Sequence, residues 1–452
     1  MTTQGIVFSI CFVCIYGYVA FANNWRGAVV WLGAMTASMI SFALGAPPDL
    51  RVFLTINYNV LLIFAGILIV AEILIETRVP EYLAAKLIRM AGTYGKAGVL
   101  ICALSGIISI FVENVATVMI VAPIALEATR RLKVSPVPLL IGIAVASNLQ
   151  GTATLVGDPP SMILAASENM GFNDFFFFHG KPGIFFAVQA GAVASFFVLY
   201  FIFGRDKSPV SAPPLPEVTS WVPTAILGIV IAGLAVISLF TSGVGLAAGS
   251  LCAAGAVITL VWHATAGPEK GWILRVRLRP DDHEIEGREQ ARSAWDIVKG
   301  FDFDTLFLLA GIFFMVNSLE SYGVMQRIGA IMASWSGNDP FTAFMLVVWG
   351  SVLISGVVDN VPYVTAMIPV VRALGVALGV TDYYFLTFGL LVGACLGGNI
   401  SPVGASANIV ATGILKRRGY RVTFFRFASI GFPFTIAATV AGAAFVWLVW
   451  GP

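Results

Sequence analysis

Two groups of polar side chains interrupt an otherwise apolar sequence. The first is Glu113, Asn114, Ser147, Asn148, Thr152, Thr154 and Asp158, with Pro159-Pro160 directly after. The second is Asp359, Asn360, Asn399, Ser401, Ser406 and Asn408. Neither group contains a Lys or Arg. A site for a multiply charged anion wants a basic partner or relies wholly on helix N-termini. Carboxylates among amides and hydroxyls suit a cation or proton, with a neutral hydroxylated solute beside it. A carboxyl group withdrawn from water holds a proton more readily. Glu113, Asp158 and Asp359 are therefore expected to couple protons. Asn114, Ser147, Asn148, Thr152, Thr154, Asn360, Asn399, Ser401, Ser406 and Asn408 are expected to bind solute or ion. The competing role is capping, because backbone amides freed at a helix break need acceptors.

Other chemistries are poorly served. Neither group sets a His or Cys beside a Ser, so no nucleophile–base pair, no catalytic residue and no enzyme is expected. Cys11, Cys14, Cys102, Cys252 and Cys395 lie in apolar runs without metal spacing, and read as buried thiols. His179, His263 and His283 are far apart. No metal and no cofactor is expected.

The surroundings are lipid-like. Of 452 residues, 58% are hydrophobic and 11% charged, with mean hydropathy +0.90. Soluble proteins carry about 25% charged residues. The net charge of +2, with no basic block, leaves no nucleic-acid partner to expect. Apolar runs mark helices near 5–22, 26–45, 58–77, 137–170, 183–204, 221–241, 244–263, 304–319, 383–416 and 424–450. The first reads as a retained helix, since it lacks a basic start and a signal-peptidase-like end. Runs 137–170 and 383–416 each have 34 residues. A straight helix of that length would reach ~50 Å across a ~30 Å hydrocarbon core, so both read as broken helices. Stretches 97–129 and 340–371 carry an acid–Asn pair at their centres and read as re-entrant hairpins.

Three fragments recur in order. Ala65-Gly66 returns as Ala310-Gly311 after 245 residues, and Glu113-Asn114-Val115 with Pro123 as Asp359-Asn360-Val361 with Pro369 after 246. Gly151 and Gly157 return as Gly398 and Gly404 after 247. Five spans in each half force the second copy upside down. The expected fold is thus an all-α polytopic membrane protein: an inverted-topology repeat with two re-entrant hairpins and two broken transmembrane helices. Its parts are a first half at 1–204, a Pro-rich linker at 205–220 and a second half at 221–452, with a solvated loop at 264–303. Unwound backbone inside a bilayer must line a cavity or be buried in protein, so both polar groups are expected at the midplane. Of 26 basic residues, 22 fall on one side of this arrangement. The positive-inside rule makes that side cytoplasmic and puts both termini outside. Glu127 is expected to pair with Arg130 and Arg131, and Glu72 to reach an interface. Phe175 to Phe178 beside His179 should anchor the outer face.

Segments SNLQGTATLVGDPPS (147–161), DNVPYVTAMIPVV (359–371) and GACLGGNISPVGASANIVATGI (393–414) resemble the ArsB/NhaD group of the ion-transporter superfamily. That group includes arsenite permeases, a class of sodium/proton antiporters and the P-protein branch, which looks closest. The resemblance covers most of the chain. It implies a scaffold and a mobile, elevator-like transport part, often in a homodimer. By position it makes 147–161 and 398–408 the substrate and ion loops, with Glu113, Asp158 and Asp359 as their acids. Ser161 stands where this branch commonly has Asn, and Ser401-Pro402 where Thr-Leu is common. A paired Ser-Asn-Thr signature of sodium-coupled dicarboxylate relatives is missing from both halves. The leading expectation is proton-coupled efflux of arsenite or antimonite across the inner (cytoplasmic) membrane. Asn148, Thr152, Asn399 and Ser401 would hold the neutral trihydroxide. A sodium/proton antiporter, an organic-anion carrier and an anion channel are the alternatives. The partners are then a small inorganic solute, protons or sodium, the lipid bilayer, a second copy of the chain and, for an arsenite pump, a soluble ATPase.

Overall fold

The structure is a computed structural model describing residues 3–21, 25–45, 56–209, 214–241, 243, 245–267 and 293–452. The basic and acidic residues placed on the 264–303 loop, from Lys270 to Arg292, lie outside the described residues, as does Arg51.

The described chain is almost entirely helical. Its first part runs α1 (Thr3–Phe21), α2 (Arg26–Ala43), α3 (Tyr58–Glu76), α4 (Val79–Ala91), α5 (Tyr94–Ser109), α6 (Asn114–Arg131), α7 (Val137–Gly151), α8 (Pro159–Ser167) and α9 (Ile184–Phe203). A short hairpin, β1 (Phe177–Phe178) with β2 (Lys181–Pro182), precedes α9. The second part runs α10 (Val222–Phe240), α11 (Leu246–Ala266), α12 (Ala294–Gly300), α13 (Phe303–Ser321), α14 (Val324–Trp335), α15 (Pro340–Ser355), α16 (Asn360–Ala377), α17 (Tyr384–Gly397), α18 (Ser406–Arg417) and α19 (Phe424–Trp450). Eight of these helices are long and apolar enough to cross a membrane.

The helix order repeats at the spacing of the sequence fragments. Helices α3 to α8 begin 245 to 247 residues before α13 to α18. The start signals repeat as well. Asn57 accepts from the Val60 amide at 3.2 Å to cap α3, and Asp302 accepts from the Thr305 amide at 3.0 Å to cap α13. Packing then exchanges partners between the parts: α3 lies on α11 and α2 on α13, while α8 lies on α16 and α6 on α18. Within each part the pairs α5–α7 and α15–α17 match, and α9 of the first part meets α19 of the second.

Both expected broken helices are interrupted, α7 from α8 and α17 from α18, at their polar centres. Both expected hairpins contain a break before the acid–Asn pair. Helix α16 is itself among the eight span-length helices, so the second arm of the 340–371 segment has enough apolar length to cross.

Three helices were not expected: α4, α12 and α14. Helices α4 and α14 are short and two-faced, so no apolar run of spanning length marks them. In α4, Val79, Ala84, Ala85 and Ile88 are buried while Lys86 and Arg89 are exposed. In α14, Val324, Met325, Gly329 and Ala333 are buried while Arg327 is exposed. Helix α14 turns by 115° into α15.

Smaller expectations divide. Glu127 pairs with Arg130 at 2.9 Å and with Arg131 at 2.7 Å, as spacing requires. Cys102, Cys252 and Cys395 are buried, but Cys11 is half-buried and Cys14 exposed, because α1 turns that face outward. Phe175 and Phe178 do not anchor a surface. Both are buried, Phe178 against Tyr384, Phe388 and Trp450, and in this group the exposed ring is Phe177. The described parts of the linker run extended, with the Tyr94 amide donating to the Ser208 carbonyl and the Thr219 amide to the Thr77 carbonyl.

Candidate functional site

The helix breaks meet one another. The Ser147 hydroxyl on α7 lies 3.0 Å from the Ser109 hydroxyl and 3.2 Å from the Asn114 carbonyl. The Thr154 hydroxyl, in the α7–α8 break, donates to the Ile110 carbonyl in the α5–α6 break. In the second part the Ser355 hydroxyl donates to the Ala394 carbonyl at 2.5 Å. Such close approach needs glycine. A Cβ on Gly157 would stand 2.6 Å from the Ser109 carbonyl oxygen and still nearer that of Gly151. A Cβ on Gly404 would stand 2.7 Å from the Gly398 oxygen and 3.0 Å from that of Ser355. Gly151, Gly157, Gly398 and Gly404 are four of the six glycines of the sequence repeat.

Asn148 joins the two parts behind the breaks. Its amide nitrogen donates to the Asn399 side chain at 2.8 Å and the Asn408 side chain at 3.0 Å. Its oxygen accepts from Asn114 at 2.9 Å. Asn399 donates onward to the Val145 carbonyl at 3.2 Å, and Asn408 to the Gly398 and Ser401 carbonyls at 2.9 Å each. The buried Thr152 hydroxyl donates to the Asn148 carbonyl at 3.2 Å. Hydrogen bonds between membrane helices average ~0.6 kcal/mol each. Asn148→Ala removes three and should cost about 2 kcal/mol, seen as earlier thermal unfolding in detergent with little change in expression.

In front of this network lies a cavity of about 970 Å³, including its solvent-open part. Glu113, Asp158 and Asp359 all line it, with Asn114, Asn360 and Ser406. Each acid precedes a helix. Glu113 caps α6, its Oε2 accepting from the amides of Val115 at 2.8 Å and Ala116 at 3.1 Å. Asp359 caps α16 by accepting from the Val361 amide at 3.1 Å. Asp158 precedes α8 without capping it, and its side chain is left for Asn360, 3.5 Å away. Capping and cavity lining are thus both present for Glu113 and Asp359, whereas Asp158 has only the second.

Of the other expected residues, Ser147, Asn148, Thr152, Thr154, Asn399, Ser401 and Asn408 do not line this cavity. All seven are at most 2% exposed. Of the four residues expected to grip a solute, Asn148 donates to Asn399 and Asn399 to the Val145 carbonyl, while Thr152 and Ser401 are buried beside them.

Three charged lining residues stand outside the site expected from sequence. Arg26, at the start of α2, reaches Asp359 at 3.2 Å, so the carboxylates do have a basic neighbour, against expectation. Glu72 and Asp302 also line the cavity, rather than serving an interface or a loop alone. Asp302 carried one signal, since it occupies the capping position matching Asn57. Arg26 carried none, being 333 residues from its partner. Five carboxyl groups and one guanidinium in a partly enclosed space favour cations over free anions. Among the described residues no group of three or more His, Cys, Asp and Glu is arranged to hold a metal ion.

Similar proteins agree with a transport role. The family profile described as "Citrate transporter" (CitMHS) matches residues 18–274 and 278–451. An uncharacterized transporter of Mycobacterium tuberculosis is 30% identical over 87% of this chain and 86% of its own length. An uncharacterized transporter of Synechocystis is 27% identical over 88% of this chain and 87% of its own. The human P protein is 25% identical over 98% of this chain and 60% of its own. Among solved structures, the Alcanivorax borkumensis YdaH transporter, described as having an unusual topology, superposes with a TM-score of 0.60. That match is 12% identical and covers 98% of both chains. It supports the fold. The matched family is the citrate transporter one, not the ArsB/NhaD group expected from the motifs.

Proposed function

Because this chain belongs to the CitMHS citrate transporter family, a family of membrane transporters, we propose that it is a cation-coupled secondary transporter. The observation that carries this reading is the convergence of Glu113, Asp158 and Asp359 on one cavity beside four helix breaks. In the proposed mechanism a proton or sodium ion settles among Asp158, Glu113 and Asp359. Asn114 and Asn360 orient these acids, and the solute sits in front of them. The two parts form an inverted repeat, with hairpins α5–α6 and α15–α16 entering from opposite faces. On the basic-residue count, both termini are outside and the cavity opens to the cytoplasm beside Arg26 and Asp302. The membrane is the inner membrane, and the loops at 147–161 and 398–408 move with the transported ion.

For the solute, proton-coupled efflux of arsenite or antimonite fits the excess of carboxylates, since a neutral trihydroxide meets no repulsion from them. A soluble ATPase partner belongs to the pump version of this reading, and a homodimer to either version. A second reading has a specific observation behind it. Arg26 supplies a guanidinium for an anion, and the family description names citrate. Citrate would have to arrive with charge-compensating cations to enter this cavity. Sodium/proton antiport needs only the acids.

A flux and thermal-shift panel of arsenite, antimonite, citrate, sodium and lithium at two pH values separates these. The leading reading expects arsenite or antimonite movement driven by an imposed proton gradient. Citrate movement with a coupled cation selects the second reading, and sodium-driven proton movement without solute selects antiport. Large currents independent of any gradient would contradict a transporter altogether.

A further inference from the structure

The proposed cation site contains an internal competitor. Asp359 uses one carboxylate oxygen to cap α16 and the other to hold Arg26. Glu113, its counterpart 246 residues earlier, makes the same kind of cap with Oε2, and no hydrogen bond among the described residues takes its Oε1. The two parts thus present matched acids, one with a guanidinium attached and one without. Among the described residues lining the cavity, Arg26 is the one cationic side chain. The pair is well shielded, with 16% of the Arg26 side chain and 11% of the Asp359 side chain exposed.

Its position in the packing adds a mechanical consequence. Helices α1, α2, α3, α10, α11 and α13 pack mainly among themselves, as do α5 to α9 with α15 to α19. The Arg26–Asp359 pair bridges these sets. Beside it, the Tyr16 hydroxyl of α1 donates to the Pro362 carbonyl of α16, and the Gly27 amide is fixed by Asp304 of α13 at 3.1 Å. Facing Asp359 are Arg26 of α2, Tyr16 of α1 and Asp158 before α8, with Glu113 before α6, Glu72 of α3 and Asp302 before α13 on the same cavity. A cation arriving among these acids draws on the same negative charge that holds Arg26.

We propose that Arg26 is a tethered counter-cation: it occupies Asp359 while the transported cation is absent and yields it when that cation binds. This rests on the cation-coupled reading above. Arg26 thereby lowers the affinity of the site for its cation. It also ties occupancy to the contact between the α1–α2–α13 set and α16. It is a positioning residue, distinct from the acids that touch the ion.

The test uses the whole protein in proteoliposomes, measuring the half-saturating concentration of the driving cation, protons or sodium, for wild type, R26Q, R26K and D158N. Removing the competitor in R26Q should lower that concentration about tenfold, the usual scale of coupling between two binding events. R26K keeps the charge without the planar fork, and should lower it about two- to threefold. A folded R26Q with an unchanged or higher half-saturating concentration overturns the proposal. Reduced thermal stability with unchanged half-saturation assigns Arg26 a merely structural role and overturns it equally. Should R26Q not fold, R26K decides by the same criterion. D158N separates the two claims. If it keeps wild-type coupling, the cation site itself is misplaced. If it loses coupling while the Arg26 variants behave as wild type, the competitor role alone fails.

Discussion

In proteoliposomes, Asp158→Asn should lose gradient-driven uphill transport by about 100-fold while keeping measurable solute exchange. The substitution is nearly isosteric, and the amide oxygen still accepts from Asn360, so the fold has little reason to change. What disappears is the negative charge. Asp158 is 2% exposed, lines the cavity and caps nothing, so its carboxylate has no structural duty comparable to those of Glu113 and Asp359. An interaction with a charged group is worth up to about 3 kcal/mol, which is roughly two orders of magnitude in occupancy. Exchange survives because the solute still enters the space in front of the acid. Normal pH-gradient-driven transport by this variant would remove Asp158 from the coupling step.

Gly157→Ala should be at least as damaging, by a different route. The added methyl meets the carbonyl oxygens of Gly151 and Ser109, both backbone atoms held by their own helices. Backbone cannot swing aside as a flexible side chain does, so relief requires parting α5 from the α7–α8 break. Overpacking of this kind costs about 3 kcal/mol. The displaced α5 continues through a short break into Glu113 and Asn114 at the start of α6. Transport should therefore fall below detection along with a lowered unfolding temperature. Gly404→Ala should do the same through the Gly398 and Ser355 oxygens. By contrast Gly228→Ala, with open space around its would-be methyl, should leave both quantities near wild type. Equal behaviour of all three variants would show that these glycines do not set the approach of the breaks.

How far the molecule is legible in its sequence depends on whether a feature is local. The helix breaks announced themselves, because 34 apolar residues cannot stay straight in a bilayer and the polar residues mark where they do not. The repeat was legible because its glycines hold a steric requirement that few other residues meet, and the helix starts follow the same spacing. Helices α4 and α14 were not, since a short two-faced helix leaves no long apolar run. The site was half legible. Acids at helix starts inside apolar sequence stand out, and Glu113, Asp158 and Asp359 share a cavity. Which amides face that cavity was not readable, for Asn148 and Asn399 look in sequence like Asn114 and Asn360. Only packing turns the first two toward each other. Arg26 was least legible of all: a basic residue at the start of a span reads as an interfacial charge until the partner helix is seen beside it.

The central claim is that carboxylates from separate helix breaks act together on one cation. Infrared difference spectra of the purified protein, recorded on adding the driving cation, test it most directly. Carboxyl bands should change on cation addition and be selectively lost in both Asp158→Asn and Glu113→Gln. Cation-induced spectra identical to wild type in both variants would contradict it.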